Sequence, residues 1–162
     1  MTRTIRRSVA FAVLLLPAFL LAACSAPVAA GSAGRAPVVV LPGDETYAAE
    51  PGKEDGPRTA VLAGNPKAAG LYTVRVKIPA GARLMPHSHP DARMVVVLSG
   101  TFHYAYGDRF DEAALKTLPP GSFFTEPAGI VHFAWAKSGE VVVQATAVGP
   151  SGTKMAGAGA KP

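Results

Sequence analysis

Pro86-His87-Ser88-His89-Pro90 is the stretch on which the reading of this chain turns. On an extended strand, side chains two residues apart share a face, so His87 and His89 point the same way. The flanking prolines restrict the backbone around both rings. A third histidine ends a second phrase, Gly121-Ser122-Phe123-Phe124-Thr125-Glu126-Pro127-Ala128-Gly129-Ile130-Val131-His132, in which glycine, proline and glycine turn the chain just before the imidazole. Two imidazoles from one strand and one from a distant strand can form three corners of a metal site. Neutral imidazole suits first-row divalent ions, so His87, His89 and His132 are the candidate ligands of one transition metal: Fe, Mn, Zn or Ni. Three rigid ligands leave open positions for a substrate.

Working outward, the surrounding sequence reads as short strands between glycine and proline turns. Tyr72 to Ile78 alternates, with Tyr72, Val74, Val76 and Ile78 on one face and Thr73, Arg75 and Lys77 on the other. Thr59 to Leu62, Thr101 to Tyr106, Ser122 to Thr125, Val131 to Ala136 and Glu140 to Ala147 read as further strands, as does Val38 to Leu41. Met94 to Leu98 is apolar throughout, the pattern of a strand buried on both faces. Asp111 to Lys116 is the one helix-like stretch, with acidic residues at its start. Such spacing predicts an all-β sandwich or barrel.

The two histidine phrases resemble the motifs of the cupin superfamily. Gly81, His87, His89 and Gly100 fall in register with the first motif, and Gly121, Pro127, Gly129 and His132 with the second. The resemblance implies a single jelly-roll barrel, a double-stranded β-helix, with the metal ligands pointing into its mouth. It also implies a small-molecule ligand and a homodimer formed through sheet edges. Two positions depart from the family pattern. Its glutamate ligand is replaced by Arg93 or Met94, depending on the spacing taken, and its closing asparagine by Ala136. Two readings of Arg93 stand: it swings away to bind an anionic substrate beside a three-histidine metal site, or it fills the cavity with its own charge in a domain that works without metal. Asp91 and Glu126 are replacement carboxylates by proximity in sequence, with a solvated loop role the expectation for each. His103 and Gln144 are further candidate substrate contacts, with a packed or surface role on the barrel strand the competing expectation for His103 and the facing of Gln144 left open by the sequence. A hydroxyl from Tyr104 or Tyr106 can reach the pocket, and Phe123, Phe124, Phe133 and Trp135 can line it or simply fill the core.

The N-terminus has the build of an export signal. A basic start with Arg3, Arg6 and Arg7 precedes an apolar run from Val9 to Ala23, interrupted by Pro17 and too short for a comfortable membrane span. Leu21-Ala22-Ala23-Cys24 resembles the bacterial lipobox, with cleavage before Cys24 and lipid on its sulfur. An ordinary secretory signal is the alternative, and Arg6-Arg7 also fits twin-arginine export. The expected organisation is a signal peptide over 1–23, a flexible tether over 24–36, the barrel over 37–149 and a disordered tail over 150–162. The expected location is the cell envelope, on the periplasmic side of the inner or outer membrane, with the membrane engaged through Cys24; Ser25 favours outer-membrane transfer. The formal charge is +5, and losing Arg3, Arg6 and Arg7 with the signal leaves +2. No basic run lies beyond the signal, so nucleic acid is not an expected partner. Cys24 is the chain's single cysteine, so the barrel has neither a disulfide nor a thiol nucleophile.

Two functions fit. One is a metal-dependent oxygenase or isomerase acting on a small anionic substrate. The other is a binding or sensing module that holds a small ligand or a metal without turnover.

Overall fold

The computed structural model describes residues 36–157, so the expected signal peptide over 1–23, Cys24, nearly all of the expected tether and residues 158–162 lie outside the described region. The chain runs as β1 (Ala48–Ala49), β2 (Arg58–Ala63), β3 (Gly70–Ile78), β4 (Arg83–Ser88), β5 (Arg93–Ser99) and β6 (Phe102–Tyr106). A single 3₁₀ turn at Glu112–Ala114 follows, then β7 (Lys116–Leu118), β8 (Phe123–Glu126), β9 (His132–Trp135), β10 (Val141–Gly149) and β11 (Lys154–Met155). One sheet has the order β1-β2-β3-β10-β5-β8 and the other β11-β4-β9-β6-β7. Every pairing is antiparallel. The expected all-β jelly roll is what the chain forms.

The core lies between the two inner faces. Tyr72, Val74 and Ile78 of β3, Val95 and Val97 of β5, and Val141, Val143, Ala145 and Ala147 of β10 meet Phe102 and Tyr104 of β6 and Ala134 of β9. Full burial of each large apolar side chain is worth about 1.5–3 kcal/mol, so period-two patterning decides the register of these strands. Gly100 needs its missing side chain. It sits at φ +75°, and a Cβ there would stand 2.3 Å from the Glu140 carbonyl oxygen.

The structure corrects the sequence reading in several places. Val38 to Leu41 forms no strand. The run from Met94 to Leu98 is not buried on both faces: Val95 and Val97 point inward, whereas Met94 and Leu98 are exposed on the outer face. The helix-like stretch shrinks to one 3₁₀ turn, capped by the Asp111 side chain accepting from the Ala113 N–H, and Lys116 already begins a strand. Residues 150–157, expected to belong to a disordered tail, are part of the fold. β11 pairs with β4 at Ser88 and His87, the Ser151 N–H donates to the Pro66 carbonyl, and the Ala156 N–H donates to the Pro86 carbonyl. Backbone pairing needs no apolar period, so the Gly/Ala-rich composition hid it.

Candidate metal centre

His87 is the next-to-last residue of β4 and His132 begins β9, and the two are directly paired across the ladder. From Leu84 to His87 is an odd step, which would point the two side chains to opposite faces of a regular strand. The register shift between them, opposite Ala134 and His132, restores both to the inside. Pro86 sits in this bulge, where its missing N–H costs no ladder bond. His89 follows just beyond β4, and its carbonyl accepts from the Gly129 N–H. That bond ties the turn ahead of His132 to the first histidine pair. The ligand atoms offered by the three rings lie within 4.8 Å of one another, as the two phrases predict. His89 and His132 are 6% and 2% exposed.

The ring orientations are fixed from behind. Nδ1 of His87 faces the Met85 carbonyl at 2.7 Å, Nδ1 of His89 the Gly152 carbonyl at 2.7 Å, and Nδ1 of His132 the Ile130 carbonyl at 3.1 Å. A carbonyl oxygen only accepts, so in each bond Nδ1 is the donor. In the neutral ring that leaves Nε2 with a free lone pair. Burial pushes all three imidazoles below their usual 6.5, His89 to about 3 with help from the Arg93 charge. The rings are therefore neutral near neutral pH, the form in which an imidazole can serve as a metal ligand. Nε2 of His132 is buried without a hydrogen-bond partner. Three neutral imidazoles with tied Nδ1 atoms and converging Nε2 lone pairs form a donor set that fits a first-row divalent ion.

The first sheet, through β5 and β8, supplies the facing wall. Glu126 ends β8 opposite Arg93 of β5. Its Oε2 lies 3.6 Å from Nε2 of His89, its Oε1 lies 3.5 Å from Nε2 of His132, and Nη1 of Arg93 stands 3.7 Å from Oε2. Burial pushes the Glu126 carboxyl above its usual value, while Arg93 pulls it back. Arg93 also donates from Nε to Asp91 at 3.2 Å and from Nη2 to the Ser151 hydroxyl at 2.6 Å. Asp91 is buried and accepts from the Tyr72 hydroxyl at 2.6 Å. Burial raises the Asp91 carboxyl, but the Tyr72 bond and the Arg93 charge outweigh it and hold the group below its usual value. Asp91 is thus a buried part of the site and Glu126, at 12% side-chain exposure, a largely covered one, which corrects the expectation of solvated loop residues. Arg93, expected on substrate, has its guanidinium committed to Asp91, Glu126 and Ser151.

Tyr104 closes the inner side. Its ring lies 5.5 Å from that of His132 at 28°, and its hydroxyl is buried with no hydrogen-bond partner. Burial, then the nearby Glu126 charge, pushes that hydroxyl far up. Tyr106 donates to the Thr125 carbonyl, which ties β6 to β8. The other candidates are not brought here. His103 alternates with Phe102 and Tyr104 and turns outward beside the Thr117 hydroxyl, at 3.3 Å. Gln144 alternates with Val143 and Ala145 and accepts from Nε of Arg75 on the outer face. Phe124 packs on Tyr104 at 4.5 Å, while Phe133 and Trp135 gather around Phe110.

A jelly roll in which neighbouring strands of one sheet bring three imidazoles together, with the other sheet as the facing wall, is a cupin barrel. The chain belongs to the family described as the ChrR cupin-like domain, which matches residues 38–151. It is 37% identical over 65 residues to germin-like protein 11-1 of Oryza sativa subsp. japonica, a match covering 40% of this chain and 29% of that protein. The chain therefore spans under a third of that relative's length. Among solved structures it resembles KdgF from Halomonas sp. at 24% identity, TM-score 0.52, over 67% of this chain and 91% of that one. It also resembles the DMSP lyase DddQ from Ruegeria pomeroyi DSS-3 at 16% identity, TM-score 0.57, over 72% of this chain and 64% of that one. These structural likenesses speak for the fold.

Proposed function

We propose that this chain is an exported, lipid-anchored cupin metalloprotein that uses His87, His89 and His132 to hold one divalent transition metal and acts as an enzyme on a small organic substrate, in the manner of an oxygenase or isomerase. The observation that carries the reading is the set of three Nδ1–carbonyl bonds, which leaves Nε2 of each ring free as a lone-pair donor in a cluster whose ligand atoms lie within 4.8 Å of one another. A metal held there would supply Lewis acidity or redox chemistry at a largely covered site. Tyr104 offers its free hydroxyl to a substrate oxygen, and the high proton affinity of that hydroxyl keeps it a donor. Because Arg93 is already committed, substrate recognition falls to Tyr104 and the metal, and an anionic group on the substrate is not required. That the solved structures of similar fold include a DMSP lyase is consistent with chemistry on a small molecule. Export and anchoring rest on the lipobox-like Leu21-Ala22-Ala23-Cys24.

A second reading is a metal-holding module without turnover.

Elemental analysis of the full chain, purified without a histidine tag, tests the metal site. The expected result is close to one transition metal per chain, lost in His87→Ala and in His132→Ala. Equal trace metal in all three proteins would overturn it. Oxygen uptake and product formation across a panel of small organic substrates then separate the enzyme from the module.

A further inference from the structure

We propose that Glu126 is the fourth metal-ligating residue of this site, a carboxylate carried on β8, and that Arg93 is the positioning residue that holds it. The inference rests on the reading that His87, His89 and His132 bind a metal.

The first argument is separation. Two ligand atoms each about 2.1 Å from a shared ion stand about 3.0–3.4 Å apart at angles between octahedral and tetrahedral. Glu126 presents Oε1 and Oε2 at 3.5 and 3.6 Å from Nε2 of His132 and of His89. Those distances are too long for hydrogen bonds and close to the spacing of neighbouring ligands on one ion.

The second argument is charge and lone pairs. Both Nε2 atoms lack a proton, because Nδ1 of each ring faces a carbonyl. A carboxylate facing two imidazole lone pairs has nothing between them to share. Nε2 of His132, in a residue 2% exposed, is left without a partner. A divalent cation at the point where these lone pairs meet satisfies all of them at once.

The third argument is the fate of Arg93. It occupies the position where the first cupin motif places its acidic ligand, and it is the direct cross-strand partner of Glu126. Its guanidinium is taken up by oxygen partners rather than left free beside the imidazoles. Nε is held by Asp91 and Nη2 by Ser151, leaving Nη1 beside Glu126 Oε2. Asp91 is in turn fixed by the Tyr72 hydroxyl. This chain of bonds aims the carboxylate from behind, as the backbone carbonyls aim the rings. The site's single negative ligand has moved one strand sideways, from β5 to β8.

The test is metal binding, followed without any assay of turnover. The full chain, stripped of metal, is titrated with Co²⁺, and affinity and the visible absorption of the bound ion are recorded for the unsubstituted chain, Glu126→Gln, Glu126→Asp and His132→Ala. Glu126→Gln is expected to weaken Co²⁺ binding at least 10- to 100-fold and to change the absorption bands. Glu126→Asp should fall between Glu126→Gln and the unsubstituted chain. If His132→Ala binds Co²⁺ as the unsubstituted chain does, the three-histidine reading itself fails. If His132→Ala loses the ion while Glu126→Gln keeps both affinity and spectrum, the histidine site stands and the role of Glu126 is overturned. A crystal structure of the Zn²⁺-loaded unsubstituted chain decides the point even if the variants do not fold. A Glu126 oxygen at about 2.0–2.2 Å from the ion is expected, and one beyond about 3 Å would sink the assignment.

Discussion

Single residues set the tolerances of this molecule. Gly100 turns the chain between β5 and β6 at φ +75°, against the Glu140 carbonyl. Gly100→Ala adds a left-handed strain of about 1–2 kcal/mol and an overpacking cost of about 1–3 kcal/mol. The expected loss is about 2–5 kcal/mol by urea unfolding, and an unchanged midpoint would contradict the packing described here. His87, His89 and His132 were legible in the sequence because their code is local: a two-residue spacing and a glycine-proline turn. Glu126 was visible only as a carboxylate near His132 in sequence. What makes it part of the site is the β5–β8 register, which places it against Arg93, and no short-range pattern reports that register. The outward turn of His103 and Gln144 was in principle available from alternation with their buried neighbours.

At the level of elements, strand patterning marked β3, β6, β9 and β10 nearly to their ends, although β9 is buried on both faces, at Phe133 as well as at Ala134. It failed for β11, a two-residue strand in a Gly/Ala-rich segment, held by backbone bonds to β4 rather than by apolar contacts. That short strand carries more than its length suggests. The segment leading into it supplies the Gly152 carbonyl to Nδ1 of His89 and the Ser151 hydroxyl to Arg93. Deleting residues 151–162 should leave the far-UV circular dichroism of the two sheets close to that of the full chain. Metal affinity should fall about 10- to 100-fold, the range typical of removing a ligand's supporting hydrogen bond. Full affinity in the shortened chain would show that the segment does not orient His89.

The whole molecule responds to pH through these buried groups. The three imidazoles sit below their usual 6.5 in the folded state, His89 at about 3. In the unfolded chain they take up protons as pH falls through 6.5, so the unfolded state binds more protons and stability drops. The loss continues until His89 itself titrates. Glu126 works in the opposite sense: its raised carboxyl favours the folded state on the acid side and is one group against three. Asp91, held below its usual 3.8, adds to the acid loss at the bottom of the range. The melting temperature of the metal-free chain is therefore expected to fall steadily from about pH 7 to about pH 5. A flat profile would mean that the rings are solvated. The exposed Met94, Leu98 and Phe123 on the outer face of the first sheet titrate nothing and should leave this profile unaltered.

The pairing of Arg93 with Glu126 also constrains descent. An ancestor with its acid on β5 cannot reach this arrangement by one replacement without passing through a chain that has either two acids side by side or none. The two codons are thus bound together as an epistatic unit. Among related genes, acid at the first position and base at the second should trade places jointly, with mixed combinations selected against.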